Sequence, residues 1–364
     1  MPALSLRSLG LRGNHEFRHI AASRPVEKFR SGRLALMHAL GLCGVGPGSE
    51  VLVPAYHCQS MVDPIESLGG RAVFYRISKV LMPDIEDIER KLSRKTKAVL
   101  AVHFFGIKAD LCGLRSLCDR FGANLIEDCA HCFSYYQTNP GYGQTGDYVI
   151  TSPRKFLPIF DGGELFSPNQ SLPDITHQLT SVRYQLKILA NTIERSRTSH
   201  GSNVLVPDSE PASPAVDTQN PNDEDKIEYV DPRFDFTQVN SRPSISGMAL
   251  TNILSLRRAS LLRRQNFGRL DAVSQSFRLA SKIITQFENG GTPYVFPLLV
   301  SESGDIHSRL KRKGIPMWRW DDLRTSDCQF SQAYGRNLIQ LPCHQELSTQ
   351  DLDQIIEALL SVLG

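Results

Sequence analysis

No apolar run in this 364-residue chain approaches the roughly 20 residues that a membrane-spanning helix requires. The opening stretch, Met1 to His19, mixes arginine with polar residues and has no apolar core of the kind a secretory signal carries, so no targeting role is expected of it. Charge of one sign is also scarce. The 41 Lys and Arg against 38 Asp and Glu leave a formal +3, too mild to point to nucleic acid or a membrane surface as partner. Internal repeats are missing. The eight cysteines (Cys43, Cys58, Cys112, Cys118, Cys129, Cys132, Cys328 and Cys343) follow no framework spacing. A chain of this size needs no disulfides, so reduced thiols in a reducing, cytoplasmic compartment are expected. Cys129 and Cys132 enclose His131 in a Cys-x-x-Cys pattern, but Cys112 and Cys118 are too far apart to supply the second ligand pair of a structural zinc. No metal is expected, and the thiols read as buried apolar groups.

What is present is ordinary globular composition, 41% hydrophobic and 22% charged, in a chain long enough for a large domain and a smaller one. Val51–Val53, Ala72–Tyr75, Ala98–Phe105, Asn124–Glu127, Asp147–Thr151 and Gly163–Ser167 read as strands. Several are apolar without alternation, as in a mostly parallel sheet covered by helices on both faces. Between them, Ile85, Ile88 and Leu92 share a helical face, as do Leu111, Leu114, Leu117, Cys118 and Phe121 behind a possible N-cap at Asp110. The fold class expected is α/β, with a large, mostly parallel domain and a small C-terminal α/β domain. Ligands of such sheets bind beyond the carboxyl ends of the strands.

The expected organisation is an N-terminal segment over 1–30, a large domain over 31–195, a polar insertion over 196–230, and a long helix with the small domain over 231–364. Ser, Pro, Asp and Asn dominate the insertion, which predicts a mobile surface segment. The helical run from about Ser244 to Phe277 carries Arg257, Arg258, Arg263, Arg264 and Arg269, read as a solvated face. Val295–Val300 is a strand, a helix lies near Ile306–Lys313, and the last helix stands behind a Ser348-x-x-Asp351 capping box.

Three features carry chemistry. Asn124-Leu-Ile-Glu-Asp128 is an apolar strand ending in two carboxylates, and Asp128 there is either a cap or ion-pair partner, or a buried acid that needs a cation. Ser152-Pro-Arg-Lys155 follows, its lysine 27 residues beyond Asp128, before Asp161-Gly-Gly-Glu164 and another strand. A lysine in a turn between two buried strands can form an imine, while a hydroxyl three residues earlier holds a phosphate. Ser31-Gly32-Arg33 opens the helical run Leu34–Leu42, either as a plain capped start or as a helix N-terminus offering amides to an anion. An anion cradle, a lysine and an acid at one sheet edge are what pyridoxal 5′-phosphate (PLP) requires of a protein.

The succession Ser-Gly-Arg-Leu-Ala-Leu (31–36), Pro-Gly-Ser-Glu-Val-Leu-Val-Pro (47–54), Val-His-Phe-Phe-Gly (102–106), Ile-Glu-Asp-Cys-Ala-His (126–131), Gly-Asp-Tyr-Val-Ile-Thr-Ser-Pro-Arg-Lys (146–155) and Asp-Gly-Gly-Glu (161–164) closely resembles the DegT/DnrJ/EryC1/StrS aminotransferases, which are fold-type-I PLP enzymes. Asn240-Ser-Arg242 is similar to that family's Asn-x-Arg element, and Leu-Pro-Cys-His-Gln (341–345) to its C-terminal Leu-Pro turn. The resemblance implies Lys155 as the Schiff-base lysine and Asp128 as partner of the pyridine nitrogen. It implies Ser152 with the amides around Gly32 and Arg33 as the phosphate grip, and His131 near the cofactor's phenolic oxygen, against its plainer reading as a core histidine. One of Tyr56, His57 and Cys58 would lie against the ring; Cys58 aligns best. Asn240, unless it is simply a helix-start cap, would complete the neighbouring subunit's site in a homodimer.

The resemblance further implies transfer of an amino group from glutamate or glutamine to a keto group, on a nucleotide-linked sugar. The lysine turn is shorter than the family's usual Ser-Phe-x-x-x-Lys, which marks a divergent branch. Two rivals stand beside this reading: a dehydratase of the same fold, in which histidine replaces the lysine, and a non-catalytic PLP-binding protein.

Overall fold

The computed structural model describes residue 4 and residues 17–20, 24–132, 134–136, 141–198, 205, 238–284, 291–301 and 305–364. In chain order its strands are β1 (Phe17–His19), β2 (Glu27–Phe29), β3 (Glu50–Pro54), β4 (Arg71–Tyr75), β5 (Thr96–Val102) and β6 (Asn124–Asp128). These are followed by β7 (Ser134–Tyr136), β8 (Tyr148–Thr151), β9 (Gly163–Phe166), β10 (Ala280–Lys282), β11 (Val295–Val300) and β12 (Leu338–Pro342). The helices are α1 (Gly32–Leu42), α2 (Gln59–Ser67), α3 (Ile85–Lys91), α4 (Cys112–Phe121) and α5 (Val182–Thr198). The remainder are α6 (Ile245–Ile253), α7 (Leu256–Ser274), α8 (Ile306–Arg312), α9 (Gln329–Asn337) and α10 (Thr349–Leu363).

The large sheet has the order β2-β9-β8-β6-β5-β3-β4. Its β8, β6, β5, β3 and β4 run parallel, and β9 and β2 add antiparallel pairs at one edge. Strands β3, β6 and β8 are almost wholly buried, because helices cover both sheet faces and leave no solvated side to alternate toward. This is the expected α/β architecture. A three-stranded antiparallel sheet, β10-β11-β12, forms the second layer system, packed with α7, α8 and α10 around Phe296, Leu298, Leu310, Ile355 and Leu359. Ile284, Val295, Tyr334 and Leu338 instead join the main core, so the C-terminal part grips the large sheet directly. The Ser348/Asp351 capping box starts α10 as the spacing predicts.

Several local expectations are corrected. The run Ala98–Phe105 does not stay extended. β5 ends at Val102, and Phe104–Gly106 is a tight 3₁₀ turn with Phe105 at φ 58°. The long helix over 244–277 is two helices, since Leu254 is extended and the Ser255 hydroxyl caps Arg258 N–H at 3.1 Å to start α7. α4 begins one residue later than an Asp110 cap implies, after Leu111, although Asp110 Oδ1 accepts the Cys112 N–H at 3.0 Å, and Phe121 at 41% exposure leaves the buried face. Within the N-terminal segment, β2 pairs with β9 of the large sheet. Ser196–Thr198 form the last turn of α5; the rest of the 196–230 insertion, residue 205 apart, lies outside the described residues. No helix among the described residues is long and apolar enough to cross a membrane.

Candidate active site

Parallel pairing brings the chemistry to one edge. Asp128 ends β6 with Val102 of β5 on one side and Ile150 of β8 on the other. β8 stops at Thr151, and the chain turns through Ser152 into the 3₁₀ turn Pro153–Lys155, where the Lys155 N–H donates to Ser152 O at 3.1 Å. Proline suits the first position of that turn because its φ is already set and no N–H is required there. Opposite, the Ser31 hydroxyl accepts from Leu34 N–H at 3.4 Å and starts α1 at Gly32. A Cβ at Gly32 would stand 3.4 Å from both Ser152 Cβ and Thr151 O, so the helix start and the lysine turn are in contact. A Cβ at Gly163 would fall 2.1 Å from the Ser31 carbonyl, so the Asp-Gly-Gly-Glu motif is what lets β9 run beneath α1.

Asp161 of that motif accepts from the Ser244 N–H at 2.6 Å and the Ser244 hydroxyl at 3.0 Å, fastening the start of α6. Between α1 and the strand ends lies a cavity of about 310 Å³, lined by Gly32, Arg33, Cys58, Asp128, Ser152 and Lys155 among others.

Burial pushes the Asp128 carboxyl upward, and the Lys155 charge with the Ala130 N–H, 2.8 Å from Oδ1, pulls it back. Burial likewise lowers the Lys155 ammonium, against Cys58 and Asp128, which raise it. Acid and amine are each driven toward neutrality by the protein and restrained by the other. The Tyr294 ring lies 5.5 Å from Lys155 Nζ and stacks on His131 at 4.4 Å and 18°. His131 Nδ1 accepts the Phe105 N–H at 3.1 Å, and burial with the Lys155 charge holds its pKa well below the ordinary value. The imidazole is therefore neutral with its proton on Nε2. The left-handed Phe105 is held by this bond and by the Tyr294 N–H, which donates to Phe105 O at 3.0 Å.

Six of the eight expected site residues, Gly32, Arg33, Cys58, Asp128, Ser152 and Lys155, share the cavity; His131 and Asn240 do not line it. His131 is buried one residue beyond Ala130, which does. Asn240 lies beside α1, where its side chain meets His38 and its carbonyl accepts from Gln178 N–H at 2.9 Å. Among the three candidates for the ring face, Tyr56 is buried against Trp320 and His57 against Phe74, and Cys58 alone reaches the cavity.

Arg154, Gln59 and Met61 also line it and were missed. So was Tyr294, whose contact with Lys155 crosses 139 positions of sequence. Nor is the arginine run all solvated: Arg263 is 1% exposed. The signal for that one was available, since Arg263 shares a helical face with Ala259, Phe267 and Leu270.

The Cys-x-x-Cys pair does not form the described cluster with metal-ligand spacing; His103, Glu127 and Cys129 do, with their ligand atoms within 4.8 Å of one another. Hydrogen bonds account for it. Glu127 accepts from His103 Nε2 at 2.8 Å and from the N–H groups of Gly143, Thr145 and Gly146, while His103 Nδ1 accepts the Ala109 N–H.

A family model described as the DegT/DnrJ/EryC1/StrS aminotransferase family matches residues 15–201. GDP-perosamine synthase of Vibrio cholerae is 36% identical over 162 residues, 44% of each chain. A UDP-N-acetyl-3-dehydro-alpha-D-glucosamine 3-aminotransferase of Acidithiobacillus ferrooxidans is 34% identical over 146 residues, 39% of this chain and 40% of its own. The match thus spans less than half the length of these curated relatives. Among solved structures, the aminotransferase TlmJ of Streptoalloteichus hindustanus aligns over 92% of this chain and 85% of its own, with a TM-score of 0.64 and 20% identity. NtdA of Bacillus subtilis, with bound cofactor PMP, aligns over 93% and 73%, with a TM-score of 0.60 and 18% identity. At such identities these two establish a shared fold.

Proposed function

The chain belongs to the DegT/DnrJ/EryC1/StrS aminotransferase family, and from that premise we propose that it is a PLP-dependent aminotransferase carrying an amino group from glutamate or glutamine to the keto group of a nucleotide-linked sugar. The observation that carries this reading is one cavity walled by a buried carboxylate, an amine and a helix N-terminus at the carboxyl edge of the sheet.

The residues fit PLP part by part. Lys155, with its pKa lowered by burial, is an amine more often neutral and hence nucleophilic toward an aldehyde. Asp128 is a buried acid with one backbone donor, suited to a cationic ring nitrogen. Ser152 and the first amides of α1 at Gly32 and Arg33 suit a phosphate. Cys58 would cover a ring face, and His131, behind Ala130 of the lining, would offer its Nε2 proton to the phenolic oxygen. When bound, PLP supplies an aldehyde that exchanges between amines and a ring that accepts the electron pair left on the substrate carbon. Lys155 would anchor the cofactor and give way to the donor amine. Its freed Nζ would move a proton at the substrate carbon. Asp128 would hold the proton on the ring nitrogen.

The proposed unit is a homodimer in which Asn240 serves the neighbour's phosphate. Val182, Leu186, Leu189 and Ile193 form an exposed apolar stripe along α5, continued by Leu179 and by Ile245 of α6, which suits a two-fold contact. That Asn240 is not among the residues lining its own cavity supports the same view. All eight cysteines are free thiols, which supports a cytoplasmic setting.

The test is an absorbance spectrum of PLP-loaded protein. Glutamate or glutamine should convert the visible band of lysine-linked PLP to that of the aminated cofactor, and a keto-sugar from a nucleotide-sugar panel should restore it. Stoichiometric PLP that no donor converts would refute the transaminase reading, and a monomer that retains PLP in sedimentation would refute the shared site.

A further inference from the structure

Arg263, in the middle of α7, heads the fully buried side chains by volume. A guanidinium has five N–H donors, and burying it costs several kcal/mol unless they are met. Here all five are. Nε donates to Gln345 Oε1 at 2.8 Å, NH1 to the carbonyls of Pro293 at 3.3 Å and Tyr294 at 2.8 Å, and NH2 to those of Lys155 at 3.1 Å and Phe156 at 3.4 Å. The Phe156 ring lies beneath the guanidinium, 4.8 Å away. Gln345 closes the set by donating Nε2–H to Phe156 O at 2.7 Å.

Every acceptor is a neutral oxygen, so ion pairing does not explain the arginine. An apolar residue of similar size would leave these buried acceptors without the donors that Arg263 supplies. What the side chain accomplishes is a junction. It joins α7, the lysine turn, the strand entry before β11 and the chain leaving β12. Two of the bonded carbonyls belong to Lys155 and Tyr294, whose ring faces the Lys155 ammonium and backs His131.

We infer that Arg263 is a positioning residue for Lys155, fixing the backbone from which the lysine reaches the cavity and locking the C-terminal part of the chain onto it. This rests on Lys155 being the cofactor lysine. Without the clamp the turn would loosen and admit water, relieving the burial that lowers the Lys155 nitrogen. Asp128, Cys58, Cys132, Arg154, His131 and Tyr294 are the other titratable groups around that nitrogen.

The experiment compares the PLP-loaded wild type with Arg263→Met, Arg263→Lys and Gln345→Ala. Borohydride reduction and peptide mapping of the wild type come first; cofactor found on another lysine would defeat the premise and not the clamp. Given Lys155 labelling, the midpoint of the visible-band pH titration should rise by about one unit in Arg263→Met, and PLP should be lost on dilution roughly tenfold faster. Arg263→Lys should recover part of both effects, and Gln345→Ala should show the same changes more weakly. If Arg263→Met does not fold, the other two variants decide. Titration midpoints and PLP loss equal to wild type in folded Arg263→Lys and Gln345→Ala would overturn the inference, even with lowered melting temperatures.

Discussion

Glu127 and Asp128 are adjacent residues of β6, and because successive side chains of a strand point to opposite faces they enter two different regions. Both are buried, at 1% and 4% exposure. On its side Glu127 meets the ring of His103 and three backbone N–H groups of the loop before β8. Burial alone would raise its pKa, but these donors outweigh it and bring the carboxyl down to about 2. Asp128 has the Ala130 N–H and the Lys155 charge, and burial leaves its pKa raised. A carboxylate whose acceptor positions are filled by the fold cements structure. One left under-provided beside a cavity is disposed to take a cation from a ligand.

The largest expected effect tests the cavity side. Lys155→Ala should abolish covalent PLP attachment and lower turnover by at least about 10⁴-fold, while the melting temperature stays within a few degrees. Mass spectrometry after borohydride reduction, with calorimetry, reads both. Undiminished turnover would move the anchor to another lysine.

Asp128→Asn comes next, with turnover falling about 10²- to 10³-fold. Its effect on stability has the opposite sign to that expected across the strand. The folded pKa of Asp128 is raised, so its stabilising contribution exists at low pH and is lost as pH rises through that value. At neutral pH the amide variant should unfold no more easily than wild type. A marked loss of stability there would mean that Asp128 is as structural as its neighbour.

Glu127→Gln should instead cost roughly 3 kcal/mol of stability at neutral pH, with turnover per folded molecule within about tenfold of wild type. Its folded pKa lies below the ordinary 4.5, so this contribution is complete above pH 4.5 and disappears as pH falls toward about 2. Denaturant titrations should therefore show wild type and variant converging over that window. Two curves with a constant separation would contradict the role assigned to the His103 and loop donors.

The two sides also differ in how readable they were. Asp128, Ser152 and Lys155 stand at strand ends in a parallel sheet, so apolar runs of four to seven residues suffice to bring them to one edge. The Glu127 network was opaque, because its donors are backbone groups of Gly143, Thr145 and Gly146, and a backbone N–H leaves no trace in residue type. Arg263 was misread for a related reason. In a run of five arginines the one turned inward is distinguished only by its phase with Ala259, Phe267 and Leu270, and its acceptors are again main-chain carbonyls. The break between α6 and α7 was hidden in continuous helical periodicity, although Ser255 is a good N-cap.

By itself the sequence determined the α/β class, the strands β3, β4, β5, β6, β8, β9 and β11, the capped start of α10, and the lysine and acid on which the proposed chemistry rests. Those follow from local pattern, where burial period, capping hydroxyls and turn residues act over a few positions. The tertiary structure decided that Cys58 alone of its triplet reaches the cavity, that Tyr294 faces Lys155, and that Arg263 is buried. Each of these depends on contacts between distant segments, whose geometry is set by how the C-terminal sheet and its helices pack against the edge of the large one.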